Sequence, residues 1–292
     1  MEDIEKWRKA SRIAAEALDY GKSLIKKDAS YMEITEKIEK KIFDLGGKPA
    51  FPVQMSLNEV AAHFTLDPGE DIKFADQLVN LDIGVHVDGC IGDSALTVDL
   101  SGKHSDLVKA SIDALNEAIK AVEQRATLGE IGKAIHDAIA SYGFSPVRNL
   151  SGHGLSKYNV HDKPSIPNFD TGDKTELKPG VYAIEPFATN GAGIIYESGT
   201  GNIFSLIQKK PVRSQMTRRI LQEIESYNGL PFCARWLAKK FPLGQVKFAL
   251  REMLKLEIIK EYPPLPDKNK GLVSQAEHTV LVDEKVEVLT KP

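Results

Sequence analysis

Two aspartates interrupt segments that otherwise have β-strand character. Asp82 lies in LVNLDIGVHV, and Asp93 follows in CIGDSALTVDL. The intervening Asp88-Gly89 pair is typical of a two-residue hairpin turn, and in that register Asp82 faces Ala95 while Asp93 lies on the same face of the sheet. Two unpaired carboxylates so close together repel one another. The pair therefore predicts either a metal site, or carboxylates bonded to a lysine or to backbone amides.

Three further polar residues lie in β-like segments. His153 stands between glycines in NLSGHG, Glu185 interrupts VYAIEPFAT, and Glu277 interrupts SQAEHTVLV. The residue after Glu185, Pro186, has no N–H to donate to a neighbouring strand, which indicates a sheet edge or a functional site. A lone histidine is commonly an ordinary core or surface residue. Together, however, four carboxylates and an imidazole predict a hard or borderline divalent ion and not a thiolate-type structural zinc.

Helices must position these residues, and the helical pattern repeats. Apolar periodicity predicts helices over 3–26, 31–45, 104–123 and 129–142. An offset of 97 residues aligns 17–49 with 114–146 without a gap and gives nine identities. These include apolar pairs such as Ile34/Ile131 and Ile38/Ile135. This predicts a duplicated helix–helix–strand unit, with two similar halves and a cleft between them.

Residues 208–270 do not repeat and differ in composition. They predict helices near 214–227, 232–240 and 244–257, followed by a proline-rich extended stretch, an order that resembles a winged helix. Fourteen Lys and Arg stand against six Asp and Glu there, a charge of +8, whereas the whole chain carries −3. We expect an inserted subdomain at 208–270 and a catalytic domain made of 1–207 and 271–292.

The overall composition bounds the classes of protein. The chain has 292 residues, of which 42% are hydrophobic and 27% charged, as in ordinary globular proteins and unlike disordered chains. Two cysteines make neither a disulfide framework nor a zinc motif. No signal region or long apolar run is present, so we expect a cytoplasmic protein without a membrane or DNA partner. The sequence contains no exposed apolar heptad or repeat of the kind that mediates oligomerisation, so a monomer is expected.

The polar residues and their surroundings resemble one family. The order Asp82, Asp93, His153, Glu185, Glu277 is similar to the five-ligand dinuclear site of the methionine aminopeptidase, or pita-bread, family. The likeness extends to KPAFPVQMSLNEVAAHFT, LDIGVHVDGCIGDSALTV, NLSGHG, LKPGVYAIEPFAT and QAEHTV, which span nearly the whole chain. It implies an α/β (α+β) pita-bread fold: two pseudo-symmetric halves around a curved antiparallel sheet. The insertion, and the start without a charged extension, resemble archaeal-like type 2 members.

The resemblance implies a role for each ligand. Asp82 would chelate one metal ion, and His153 with Glu185 would chelate the other. Asp93 and Glu277 would bridge both ions. The cofactors implied are two divalent ions per chain, and Co, Mn, Fe and Zn all accept these ligand types.

Further site residues follow from the same resemblance. His63 and His161 would contact the scissile region of the substrate and the tetrahedral intermediate, and Glu185 would pass a proton to the leaving amine. The residues that would line the methionine pocket are Phe51, Pro52 and Phe187.

The implied activity is removal of the N-terminal methionine from nascent proteins and peptides, with a small second residue preferred. One alternative is a proline-specific (X-Pro) peptidase of the same fold, whose members usually carry a large extra N-terminal domain. Another is a non-catalytic protein- or RNA-binding relative, a class that loses metal ligands. The basic insertion also suggests ribosome contact, for which a solvated lysine-rich face is the simpler interpretation.

Overall fold

The computed structural model describes residues 3–291 and contains two similar helix–strand halves with a third, smaller unit. Its helices are α1 Ile4–Leu24, α2 Tyr31–Asp44, α3 Ser105–Glu123, α4 Leu128–Ser141, α5 Gln215–Glu225, α6 Ala234–Ala238 and α7 Leu243–Lys255. Its strands are β1 Lys48–Pro49, β2 Gln54–Leu57, β3 Leu78–Val87, β4 Cys90–Asp99, β5 Ser145–Pro146, β6 Ser151–Ser156, β7 Asn159–Pro167, β8 Gly180–Ile184, β9 Phe187–Thr189, β10 Ile203–Leu206, β11 Phe232–Cys233, β12 Ile259–Tyr262, β13 Val273–Gln275, β14 His278–Val282 and β15 Val286–Val288.

The predicted duplication is confirmed by the local structure of the two halves. Helices α2 and α4 start and end at positions related by the offset of 97, and so do strands β1 and β5. Both helices begin the same way: Ser30 and Thr127 side chains accept hydrogen bonds from the third backbone N–H of their helices. Gly46 and Gly143 follow them with φ of 81° and 79°. Equivalent caps therefore fix equivalent helix boundaries.

The predicted hairpin is confirmed with its register. Strands β3 and β4 are antiparallel, with Asp82 opposite Ala95. The turn residues Asp88 and Gly89 have φ of 49° and 88°, as a two-residue turn requires. Helix α1 packs directly on this hairpin, since a Cβ added at Gly92 would lie 2.4 Å from the Cα of Ser11. The first half is thus a helix pair clamped on a long hairpin.

The second half provides the other wall of the cleft. Its five-stranded antiparallel sheet has the order β15-β14-β8-β6-β7, and β13-β9-β5 forms a smaller sheet beside it. Helices α3 and α4 cover these strands and bury Leu115, Ile131 and Ile135 in a continuous apolar core. No helix among residues 3–291 has the length and apolar character needed to cross a bilayer.

Hydroxyl side chains join the two halves where their strands meet. Thr279 Oγ1 accepts a hydrogen bond from the Asp93 backbone N–H at 2.7 Å and donates to the Asp93 carbonyl at 2.7 Å. Ser94 donates to the carbonyl of Glu277 at 3.0 Å, and the Glu277 N–H donates to Ala95. These bonds satisfy backbone groups that no regular ladder pairs.

The region of the predicted insertion builds a small sheet and a separate core. Strand β10 pairs with both β11 and β12, and helices α5, α6 and α7 pack around Ile220, Phe232 and Met253. Strand β10 precedes position 208, so the sheet includes a segment outside the predicted range. The boundaries at 208 and 270 stay a prediction.

One buried ion pair anchors this unit to the first half. Arg235 on α6 makes two hydrogen bonds to the Glu39 carboxylate on α2, at 2.8 and 2.9 Å. The indole N–H of Trp236 donates to the same carboxylate at 2.9 Å. Side-chain exposure is 4% for Arg235 and 3% for Glu39. Water therefore cannot stabilise either charge, and each is stabilised by the other.

We expect Arg235→Met to lower the free energy of unfolding by about 3–5 kcal/mol, because it leaves a buried carboxylate without its partner. The double variant Arg235→Met with Glu39→Leu should recover much of the loss, since no unpaired charge remains. Denaturant unfolding measures both. The control is Lys37→Met, which breaks the exposed Lys37–Glu33 pair and should cost less than about 1 kcal/mol. A loss that small for Arg235→Met would contradict the anchoring role.

Candidate active site

The hairpin brings the first two predicted ligands to one place. Asp82 lies on β3 and Asp93 on β4, two positions apart on the same face of the sheet. Asp93 is 2% exposed. The Oδ1 atoms of Asp82 and Asp93 are both buried without a hydrogen-bond partner. Such atoms are costly to bury unless a cation or proton satisfies them.

The two glutamates occupy facing breaks in a pair of antiparallel strands. Strand β8 pairs with β14 up to Ile184–His278, and β9 pairs with β13 from Phe187–Gln275. Between these registers, Glu185-Pro186 on one chain segment lies opposite Ala276-Glu277 on the other. Pro186 lacks an N–H and so ends the ladder at this point. The double break turns both carboxylates toward the aspartates.

His153 completes the cluster from β6, which pairs with β8. Its Nδ1 lies 3.3 Å from the Gly154 carbonyl, which can only accept, so Nδ1 carries the proton. Its Nε2 lies 3.3 Å from Glu185 Oε1. A lone pair facing a carboxylate at this distance requires a cation or proton between the two atoms.

Burial and mutual repulsion dominate the electrostatics of the cluster. Burial raises the pKa of each carboxyl group. The charge of Glu185 raises the pKa of Asp82 further, and the charges of Asp82 and Glu185 do the same for Asp93. Burial also lowers the pKa of His153 to about 4, so its imidazole is neutral near pH 7. The protein's own groups leave these acids without a balancing charge.

The cluster fits a divalent metal ion. Ligand atoms of Asp93, His153 and Glu277 lie within 4.8 Å of one another, and all three residues are buried. Oxygen ligands with one neutral imidazole suit hard and borderline cations. His153 Nδ1 donates a hydrogen bond to a backbone carbonyl, which fixes the orientation of the ring. Metal-bound histidines are commonly oriented in the same way. An ion there would satisfy the orphaned Oδ1 atoms and offset the repulsion.

A cavity of ≈ 400 Å³ opens onto this cluster. Its lining includes all five predicted ligands and both His63 and His161. Phe51 and Phe187 also line it, whereas Pro52 is buried beside Phe51 and is not among the lining residues described. The structure therefore brings together nine of the ten residues singled out in the sequence.

The two further histidines lie side by side with the cluster. The His161 ring is 4.6 Å from the His153 ring, and the His63 ring packs edge-on against Tyr262 at 5.3 Å. Burial lowers the pKa of His63 to about 4 and that of His161 to about 3, and the positive charge of Lys260 adds to both effects. Both rings are thus neutral near pH 7 and can donate one N–H each.

Several cavity residues were missed in the sequence. The Gln54 side chain accepts from the His63 backbone N–H at 2.7 Å and donates toward Asp82 at 3.5 Å, holding His63 at a φ of 64°. Gln275 Nε2 donates toward Glu185 at 3.4 Å. Both amides stand next to motif residues, which is a signal that could have identified them. Lys260 and Tyr262 carry no such signal, because they come from the region after position 208.

A second cavity, of ≈ 330 Å³, lies between α2 and the α5–α6 region, and its lining includes Glu39, Tyr227 and Trp236. None of the predicted ligands lines it, so it takes no part in the proposed chemistry.

Known proteins provide an independent comparison. The profile of metallopeptidase family M24 matches residues 5–284. A methionine aminopeptidase of Thermococcus onnurineus is 44% identical over 295 residues, covering 99% of this chain and 100% of that protein. A methionine aminopeptidase of Methanocaldococcus jannaschii is 41% identical over 295 residues, covering 100% and 99%.

Solved structures share the fold at low identity. A thermophilic Arx1 superposes with a TM-score of 0.83 at 14% identity, covering 100% of this chain and 92% of that one. A Thermotoga maritima methionine aminopeptidase gives 0.72 at 22% identity, covering 99% and 97%. A Pyrococcus furiosus prolidase gives 0.63 at 20%, covering 100% and 64%. With the pita-bread fold and a buried Asp/His/Glu cluster in place, the match over nearly the whole sequence establishes that this chain belongs to metallopeptidase family M24.

Proposed function

We propose that this chain is a metal-dependent aminopeptidase that removes the N-terminal methionine from proteins and peptides, with a small second residue preferred. The observation that carries the proposal is the cluster of four buried or half-buried carboxylates and one neutral imidazole that lines the 400 Å³ cavity. Full-length relatives named methionine aminopeptidase support the substrate class.

The proposed ligand set follows the positions of the side chains. Asp82 would hold one divalent ion and His153 with Glu185 would hold a second, with Asp93 and Glu277 shared between the two. The unpartnered Oδ1 atoms of Asp82 and Asp93 support this arrangement. The ion type is set by availability among the divalent metals that accept oxygen and imidazole ligands.

The residues of the cleft have different roles in the proposed hydrolysis. The chemistry that bound divalent ions supply is polarisation of the peptide carbonyl and acidification of water. His161 and His63, neutral and able to donate, stabilise the negative charge that develops on the carbonyl oxygen. Glu185 accepts a proton and passes it to the leaving amine, a role that its raised pKa favours. The half-buried carboxylate of Asp82 attracts the free α-amine, which restricts cleavage to the first residue.

Apolar cavity walls account for the preference for methionine. Phe51 is 5% exposed and Phe187 is 1% exposed, and both line the cavity beside the ligands. An unbranched thioether side chain packs well against aromatic rings. Because one methylene changes such binding by only about 1–3 kcal/mol, discrimination against other unbranched apolar residues should be modest. Pro52 stays a proposed pocket residue that acts through its neighbour Phe51.

The two alternatives receive less support. The relatives that align over the whole chain at 41–44% identity are named methionine aminopeptidases, whereas the chain covers 64% of the prolidase it superposes on. A non-catalytic function is disfavoured because all five predicted ligand residues are present and line one cavity.

We expect the purified protein to release methionine from Met-Ala-Ser only when a divalent metal is added, and to leave acetyl-Met-Ala-Ser and Pro-Ala-Ser intact. Glu185→Gln should lower kcat by about 10²–10⁴-fold, because it removes both a ligand and the proton carrier. Glu123→Gln, an exposed change on α3, is the matched control. Cleavage of the acetylated peptide, or full activity of Glu185→Gln, would refute the proposal.

Metal binding should also appear as a change in stability. With ion at a hundredfold excess over Kd, the free energy of unfolding should rise by about 2.7 kcal/mol. Asp82→Asn should abolish this gain. In chelator-treated protein the same variant should be no less stable than wild type, since it removes one of four repelling carboxyl groups. Thermal melting with and without Mn²⁺ measures both effects, with exposed Asp106→Asn as the control. A metal-dependent gain retained by Asp82→Asn would remove Asp82 from the ligand set.

We infer further that residues 208–270 form an inserted subdomain whose basic face contacts ribosomal RNA near emerging chains. Lys247, Arg251 and Lys255 recur every four residues along α7 and are exposed, and Phe248 beside them is 55% exposed. Two other basic residues of the insertion are engaged elsewhere: Lys240 bonds to Glu223 and Lys239 lies 3.7 Å from Glu39. The α7 stripe is therefore the part of the insertion best suited to phosphates.

Co-sedimentation with ribosomes tests this contact. Binding should weaken as salt rises, and changing Lys247, Arg251 and Lys255 to Glu should abolish it. The triple change Lys109→Glu, Lys120→Glu, Lys133→Glu alters the net charge equally on exposed positions of α3 and α4 and should have little effect. Equal loss with both triples would indicate a general charge effect and leave a solvated lysine-rich face as the explanation.

A further inference from the structure

The cavity carries one fixed positive charge. Among its lining residues in the described part of the chain, Lys260 is the lone lysine or arginine. Of the predicted ligand carboxylates, Asp93 and Glu277 are buried and Asp82 and Glu185 are half-buried, whereas Lys260 is exposed. Once metal balances the carboxylates, this ammonium group is the dominant charge that an entering peptide meets.

Neighbouring side chains hold Lys260 over the cavity. On β12 it lies on the same face as Tyr262, and its Nζ is 4.7 Å from the centre of the Tyr262 ring. The Tyr262 hydroxyl bonds to Ser205 at 3.1 Å, and its ring packs against His63. The cation–π contact therefore limits the positions that the ammonium group samples.

Lys260 has no carboxylate partner within residues 3–291. Nearby lysines differ in this respect: Lys209, Lys210 and Lys240 pair with Glu225, Glu257 and Glu223. The adjacent Glu261 lies on the opposite face of β12, where its side chain accepts from the Gly201 N–H at 3.1 Å. The donors of Lys260 are thus free for a ligand.

The direction of the substrate decides which part of it reaches Lys260. On the proposed function, the free α-amine lies at the buried base among the ligands. The chain beyond the scissile bond must then extend toward the open rim, at about 3.3 Å per residue. A group on the third residue of the substrate is the part that approaches the rim.

We infer that Lys260 is a specificity-determining residue that favours substrates with a carboxylate at the third residue. That carboxylate is either an Asp or Glu side chain or the free C-terminus of a tripeptide. The inference rests on the proposed function, and it names a substrate preference within it.

Amidated tripeptides test the inference with wild-type, metal-loaded protein. Met-Ala-Asp-amide should exceed Met-Ala-Asn-amide in kcat/KM by about 1.5- to 5-fold, the range expected of an exposed charge pair, mainly through KM. Met-Ala-Ser should likewise exceed Met-Ala-Ser-amide if the terminal carboxylate also binds, and this comparison separates the two sources. Both ratios should shrink toward one at high salt.

Variants of Lys260 assign the effect to this residue. Lys260→Gln should bring the Asp/Asn ratio to about one, and Lys260→Glu should invert it. Lys285→Gln removes the same charge from an exposed site outside the cavity and should leave the ratio at its wild-type value. Thermal melting of each variant checks that the fold is intact.

Four outcomes would overturn the inference. A wild-type ratio of one, or a ratio that Lys260→Gln leaves unchanged, would refute it while cleavage of both peptides still supports the proposed function. An equal change in Lys285→Gln would assign the preference to overall charge. A protein that cleaves none of the peptides would overturn both the inference and the proposed function.

Discussion

The repulsion among four carboxylates gathered in one cleft is the constraint on which the rest of the structure depends. Burial and like charge together raise the pKa of these groups, so the fold must hold them in place against their own electrostatics until a cation binds. The backbone does this where the halves meet. Thr279 bonds to both backbone groups of Asp93, and Ser94 bonds to the carbonyl of Glu277. Backbone groups tied in this way leave the carboxylates little freedom to separate.

The duplicated architecture explains why such a cleft can exist. Each half buries its own helices on its own strands, so each has a separate apolar core. The first half contributes Asp82 and Asp93, and the second contributes His153, Glu185 and Glu277. The charges are therefore divided between two stable units, and neither unit has to stabilise the whole cluster. A metal ion held by the proposed ligands would link the halves, because these ligands come from both.

The proposed chemistry and the proposed selectivity involve different parts of the chain. The ligands and the two neutral histidines belong to the duplicated halves, whose geometry is set by strand register and breaks. Tyr262 and Lys260 reach the same cavity from β12, which pairs with β10 in the small sheet. The Arg235–Glu39 pair anchors this sheet region to α2. On the proposed function, changes in β12 would consequently alter substrate preference without disturbing the proposed ligand set.

The sequence by itself determined the features that depend on local physics. The caps at Ser30 and Thr127, the Asp88-Gly89 turn and the register that places Asp82 opposite Ala95 follow from neighbouring residues, and all were predictable. The candidate ligands could be proposed from the sequence too, because a carboxylate inside an apolar strand needs an explanation. The family resemblance then indicated that these ligands form one site.

Only the tertiary structure decided which side chains share the cavity. It placed Lys260 and Tyr262 beside His63, and it left Pro52 off the lining. It also showed that Lys239 and Lys240 lie near glutamates and that the α7 stripe is exposed. The physical reason is the same in each case. These features depend on contacts between segments far apart in the chain, and no local propensity or spacing encodes where such segments meet.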